Sequence, residues 1–147
     1  MKKQEILKQV IHQMENNIAE IRTSLQDYEA ASDIDEGDTS DPENFSQQSE
    51  QKEMQYQMQI QLDSAQSSLI ELKDFLGKEY SVAKAGALIE TETNYFFLGV
   101  SFPALHIGEK ELLGISAESP AYGVINGKSK GGSFQLGKNK HSILGIS

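Results

Sequence analysis

Two segments with apolar residues at alternating spacings of four and three constrain this chain more than any other feature. In the first, Leu7, Ile11, Met14, Ile18, Ile21, Leu25 and Tyr28 keep that spacing. In the second, Met58, Leu62, Ala65, Leu69, Leu72 and Leu76 keep it too. A 3.5-residue repeat holds one narrow stripe of a helix toward a partner, so both segments are predicted helices with a coiled-coil seam. The first runs from about Lys3 to Ala30 without Gly or Pro, and at 1.5 Å per residue spans roughly 40 Å. The second runs from about Pro42 to Leu76. Asp41 suits its N-cap, Pro42 its first helical position and Glu43 the first turn, where the helix dipole favours an anion. Gly77 suits the C-cap. Traced backwards, the second seam meets Gln55, Gln51 and Gln48, so it is apolar at one end and polar at the other. Met54, Tyr56 and Ile60 lie off the seam and are expected to broaden the packed face.

Between the two segments lies Asp33 to Glu43, D-I-D-E-G-D-T-S-D-P-E, with six carboxylates and no base. Two heptad helices with a short link most simply fold back as an antiparallel hairpin. Pairing Leu7 with Leu72 and Leu25 with about Met54 puts the turn near residues 38–41. The acidic stretch then forms the tip of a rod. Asp33, Asp35 and Glu36 read as a solvated connector, and Asp38, Asp41 and Glu43 fall at the apex. An intermolecular coiled coil is the other arrangement that the same pattern allows.

The charge is uneven. Residues 1–79 carry 17 acids and 7 bases, whereas residues 80–147 carry 5 and 6, within a formal net charge of −9. An acidic arm argues against direct, sequence-specific nucleic-acid binding, which needs Lys and Arg at the phosphates. It suits a basic cleft or a bound cation. The absence of cysteine excludes disulfides, Cys-ligated zinc and a thiol nucleophile. Mean hydropathy is −0.47, and neither a signal peptide nor a membrane-spanning run is visible, so a cytoplasmic, soluble, monomeric protein is expected.

From Tyr80 the pattern changes. Ala87–Glu90 and Tyr95–Val100 read as strands around a T-E-T-N turn, and Glu111–Ser116 as another. Ser119 as N-cap with Pro120 at the first position opens a short helix, Ala121–Ile125. Asn126-Gly127 ends it, and Phe134–Leu136 and Ser142–Ile146 read as closing strands. The expected architecture is α+β: a hairpin over residues 1–78, then a small β-rich domain over 79–147 with one short helix. About 68 residues make a thin core, so docking against the hairpin base is expected to help stabilise it. No nucleophile elbow, phosphate loop or dinucleotide fingerprint is present, and N-G-K-S at 126–129 lacks the upstream glycine of a phosphate loop. His12, His106 and His141 have no ligand spacing, which points to structural or exposed roles.

The run I-S-A-E-S-P-A-Y-G-V-I-N-G-K-S-K-G-G-S-F-Q-L, Ile115–Leu136, resembles the C-terminal signature of the bacterial Gre transcript cleavage factors. In that family an I-S-x-x-S-P stretch leads into a short helix, then a G-K-x-x-G-D turn and a closing strand. Gly132 here stands where the family usually has Asp. The resemblance implies an N-terminal antiparallel coiled coil followed by an FKBP-like domain, the order read above from the residues. It further implies RNA polymerase as partner, with the globular domain at the rim of the secondary channel and the tip inserted toward the active centre. Ser119, Pro120 and Asn44 would then belong to the partner-binding residues. Two tip acids would help hold a catalytic Mg²⁺ and orient water for cleavage of backtracked RNA; the protein alone would hold no cofactor. Carboxylates are hard oxygen ligands suited to Mg²⁺, and a second metal can activate water.

The family's tip pattern is close to D-x-x-E-N-x-E-Y. Asp38 and Asp41 match its acids in one register, with Pro42 where Asn is usual. In the other register Glu43-Asn44 matches E-N. Two function classes follow. One is a polymerase-binding elongation factor that assists cleavage, or a relative that occupies the channel without cleaving. The other is a coiled-coil adaptor or chaperone-like protein whose acidic tip keeps it soluble.

Overall fold

The structure, a computed structural model, describes residues 2–35 and 42–147; for 31–35 and 42–48 it describes the backbone alone. The elements are α1 (Lys3–Asp35), α2 (Pro42–Asp74), β1 (Leu88–Thr91), β2 (Asn94–Gly99), β3 (Leu105–Ile107), β4 (Lys110–Ser116), α3 (Pro120–Ile125), β5 (Ser133–Leu136) and β6 (Asn139–Ile146). The chain is thus α+β: two long helices, then a six-stranded mixed sheet with a short helix. It divides into two compact units. One holds residues 13–67; the other holds residues 1–12 together with 68–147.

Both long helices have 33 residues, roughly 50 Å of rise each. Helix α1 continues five residues past the expected Ala30, because no helix breaker occurs before Gly37. Asp33 and Asp35 are therefore helical in backbone rather than parts of a connector, and six residues, 36–41, separate α1 from α2. Every predicted seam residue of α1 is sheltered: Leu7, Met14, Ile18 and Leu25 are buried, and Ile11, Ile21 and Tyr28 are half-buried. In α2, Leu62 and Leu72 are buried and Met58, Ala65 and Leu69 half-buried. The expectation for Met54, Tyr56 and Ile60 fails, since they are 45%, 66% and 46% exposed. Tyr56 and Ile60 each precede a seam residue by two, which turns them about 200° around the helix, away from the seam. The helix stops at Asp74, two residues short of the expected Leu76, and Gly77 takes the left-handed conformation (φ +79°) that ends the turn.

The sheet order is β3-β4-β2-β1-β6-β5. Only β2 and β4 run parallel; the other neighbours are antiparallel. Strand β3 was not anticipated: it has three residues, too few to display an alternation. It pairs outside β4 through a two-residue Gly108–Glu109 link, with Gly108 at φ +64°. The β1–β2 turn is tied by Thr91, whose hydroxyl donates to the Asn94 carbonyl and accepts from the Asn94 N–H, both at 3.1 Å.

Alternation along the strands builds two apolar layers. On one side Ile89, Phe96, Leu98, Phe134 and Ile143 form a core with Ala83 and with Ile125 of α3. On the other side the Phe97 ring meets Phe75, which follows α2, edge to face at 5.9 Å. Phe97 also packs near Phe102, 6.3 Å between centroids. Ile6, Leu7, Val10 and Leu72 are fully buried in the same compact unit. The Phe102 ring lies over Gly114 of β4. A methyl group there would stand 2.7 Å from that ring and 2.6 Å from the Val100 carbonyl oxygen.

Gly114→Ala is therefore expected to destabilise the protein by about 1–3 kcal/mol through overpacking, read as a lowered urea midpoint with an unchanged slope. An unaltered midpoint would show that the Phe102 ring is not held there.

Candidate functional site

The acids that the sequence places at the tip fall where the structure is silent. Asp38 and Asp41 lie outside the described residues. Glu43 and Asn44 lie in the first turn of α2, and their side chains are likewise outside the described set. No metal-binding cluster of three or more His, Asp or Glu side chains occurs among the described residues. No described helix is long and apolar enough to cross a membrane.

Ser119 and Pro120 are described, and their local chemistry is capping. The Ser119 side chain accepts from the Ala121 N–H at 3.3 Å, and Pro120 opens α3. This supports the N-cap reading over a nucleophile. The glycine-rich loop after α3 is equally occupied. The N–H groups of Gly127, Lys128, Gly131 and Gly132 donate to Ala83, Ile125, Ile143 and Ser129 carbonyls at 2.8–3.2 Å. These amides are spent on the fold and do not form a phosphate cradle.

Two shallow recesses have mixed linings. The first, about 210 Å³, is lined by Asn17, Glu20, Ile21 and Ser24 of α1 with Met58 and Gln61 of α2. The second, about 160 Å³, lies on the sheet and is lined by Lys3, Leu88, Glu90, Tyr95 and residues 145–147. Glu90 there is already engaged: Lys110 donates to its carboxylate at 3.1 Å and to the Thr91 carbonyl at 2.8 Å. The Lys110 ammonium also stands 5.4 Å from the Tyr95 ring centre.

Lys3 is the most unusual charge in the described structure. It is 4% exposed, donates to the Lys78 carbonyl at 2.7 Å, and stands 5.0 Å from the centre of the Tyr80 ring. Burial lowers its pKa from 10.5 to about 8, and Glu79 opposes part of that shift. Beside it, the Gln4 side chain accepts from the Gly77 N–H at 3.0 Å. These bonds fasten the first turn of α1 to the segment that leaves α2. No sequence signal marked Lys3, because the seam extended back from Leu7 falls on Gln4.

His141 has a structural place. It is buried, stacked on Phe134 at 5.3 Å and edge-on to Phe96 at 5.1 Å. The Glu92 carboxylate accepts from the Ser142 N–H at 3.1 and 3.3 Å, and backbone hydrogen bonds, its own first, hold its pKa below the ordinary carboxylate value.

Comparison with known families, curated proteins and solved structures finds no match for this chain.

The lowered Lys3 pKa sets a pH dependence. Between about 8 and 10.5 the unfolded state binds more protons at this residue than the folded state, so its contribution to stability rises with pH across that window. Urea midpoints of the wild type relative to Lys3→Met are expected to climb from pH 8 to pH 10. A difference independent of pH would contradict the desolvation of this ammonium.

Proposed function

We propose that this protein is a Gre-like factor that binds RNA polymerase at its secondary channel and carries an acidic tip toward the active centre. The observation that carries the reading is the pair of 33-residue helices separated by six residues, three of them acidic, ahead of a small sheet domain. The Ile115–Leu136 signature supports it independently.

In this proposal α1 and α2 form an antiparallel hairpin. Support comes from the recess that Ile21 and Met58 share, because that pair belongs to the register matching Leu7 with Leu72 and Leu25 with Met54. The same register centres the turn between Thr39 and Ser40, so Asp38 and Asp41 flank the apex and Glu43 follows. The sheet domain is read as FKBP-like and, through the region of Ser119 and Pro120, as the part that holds the channel rim. Asn44 would assist at the tip. The carboxylates would contribute ligands to a Mg²⁺ ion held mainly by the polymerase, since a few acids on a short link bind Mg²⁺ weakly alone. Assistance to the polymerase's own RNA cleavage is the reaction class, and occupancy of the channel without cleavage is its regulatory variant.

A second reading, a helical adaptor, is favoured by Tyr56 and Ile60, which lie about one turn apart on α2 and are 66% and 46% exposed. Exposed large apolar side chains are ordinary singly but suit a protein contact when they adjoin one another.

The variant carrying Asp38→Ala, Asp41→Ala and Glu43→Ala tests the first reading. Helicity and affinity for core polymerase are expected to persist, while Mg²⁺-dependent cleavage in backtracked complexes slows about tenfold or more, a loss of at least ~1.4 kcal/mol. Wild-type cleavage by the triple variant would rule out a catalytic tip. Failure to bind core polymerase, with recovery of another stable partner, would favour the adaptor.

A further inference from the structure

We infer that the outer edge of β5, flanked by Lys130, Lys138 and Lys140, takes up an extended acidic segment of a partner protein as an added strand. This edge belongs to the sheet and needs neither the acidic tip nor a polymerase.

Strand β5 has four residues and ends the sheet beyond β6. Its register decides which backbone groups are free. Leu136 faces Asn139 across a two-residue turn, and Phe134 faces His141. The pair that closes such a turn is hydrogen-bonded, and bonded pairs alternate with unbonded ones. The flanking bonds agree. The Ile143 N–H donates to the Gly132 carbonyl at 2.9 Å. The Ser142 N–H turns away from its partner Ser133 and donates to the Glu92 carboxylate at 3.1 Å. Ser133 and Gln135 therefore point their N–H and C=O groups outward, where no described strand pairs with them. Gln135 is exposed and Ser133 half-buried. An extended peptide satisfies both groups of both residues by strand addition.

Charge selects the occupant. Residues 119–147 carry four Lys and no Asp or Glu, in a chain with 22 acids against 13 Lys and Arg. All four, Lys128 included, are exposed, and among the described residues none of them forms an ion pair. Their places follow the strand. Lys130 lies three residues before β5, Lys138 is in the turn two residues after it, and Lys140 is directly opposite Gln135. Like charge keeps a second copy away, because pairing two β5 edges antiparallel about Phe134 sets Lys130 of one against Lys138 of the other. Acids at both ends of an added strand would instead meet these cations. A nucleic-acid backbone offers only acceptors at its phosphates and would leave the Ser133 and Gln135 carbonyls unpaired.

The test uses the full ¹⁵N-labelled chain and a blocked heptapeptide, Asp-Glu-Val-Thr-Val-Glu-Asp. The same peptide N-methylated at its three central residues keeps its charge but cannot add as a strand, and it is titrated in parallel with a ten-residue oligothymidylate. The heptapeptide is expected to slow hydrogen exchange of the Ser133 and Gln135 amides and to bind more weakly as salt is raised. Gln135→Pro removes one outward N–H at an edge position that tolerates proline, and it should weaken the apparent affinity at least about fivefold with an unchanged circular dichroism spectrum. Lys130→Gln with Lys138→Gln should weaken it as well, and this variant and the methylated peptide decide the matter however the proline is accommodated. Unchanged exchange at Ser133 and Gln135 with the heptapeptide in large excess would overturn the inference, as would equal binding of the methylated peptide or of the oligothymidylate.

Discussion

Phe96 and Phe97 are successive residues of β2, so their rings leave the sheet on opposite faces. Each is almost wholly buried. A sheet with both faces apolar must be covered twice. One cover comes from its own sequence neighbourhood: α3, which places Ile125 against Phe96 and Leu98. The other comes from far along the chain. Phe75, just after α2, meets Phe97, and Ile6, Leu7 and Val10 are buried in the same compact unit. This second cover makes the first turns of α1 and the last turns of α2 part of the sheet domain. Lys3 and Gln4 then close the arrangement with hydrogen bonds to Lys78 and Gly77.

Much of this was legible because it rests on period and punctuation. The four-and-three spacing identified both long helices. The Ser119-Pro120 pair identified α3, since a serine oxygen and a pre-set φ are what a helix start requires. The less legible parts depend on competition between neighbours. The end of α1 was set too early, because acidic residues were read as loop when nothing in Ala31–Asp35 breaks a helix. Tyr56 and Ile60 are hydrophobic, but their phase points them away from the seam, whereas Met54 lies close to the seam in phase and is still 45% exposed. Strand β3 has no periodic signal and exists through its pairing with β4. The burial of Lys3 is not legible in the seam, whose next position before Leu7 is Gln4; it comes from the hydrogen bond to the Lys78 carbonyl and the Tyr80 ring. The proposed tip lies outside the described residues, so its assignment rests on the seam register and on the resemblance.

Charge is distributed unevenly along the sequence. Acids dominate residues 1–79, yet Lys3, Lys78 and Lys84 gather around Phe75 and Tyr80.

The proposed function requires residues 38–41 to reach the polymerase interior. The chain has no cysteine, so Thr39→Cys provides a unique attachment point for a benzophenone cross-linker. Irradiation of its complex with core polymerase, followed by peptide mapping, is predicted to give adducts with segments lining the secondary channel beside the active centre. Adducts confined to the outer surface of the polymerase, or none under conditions that retain the complex, would contradict it.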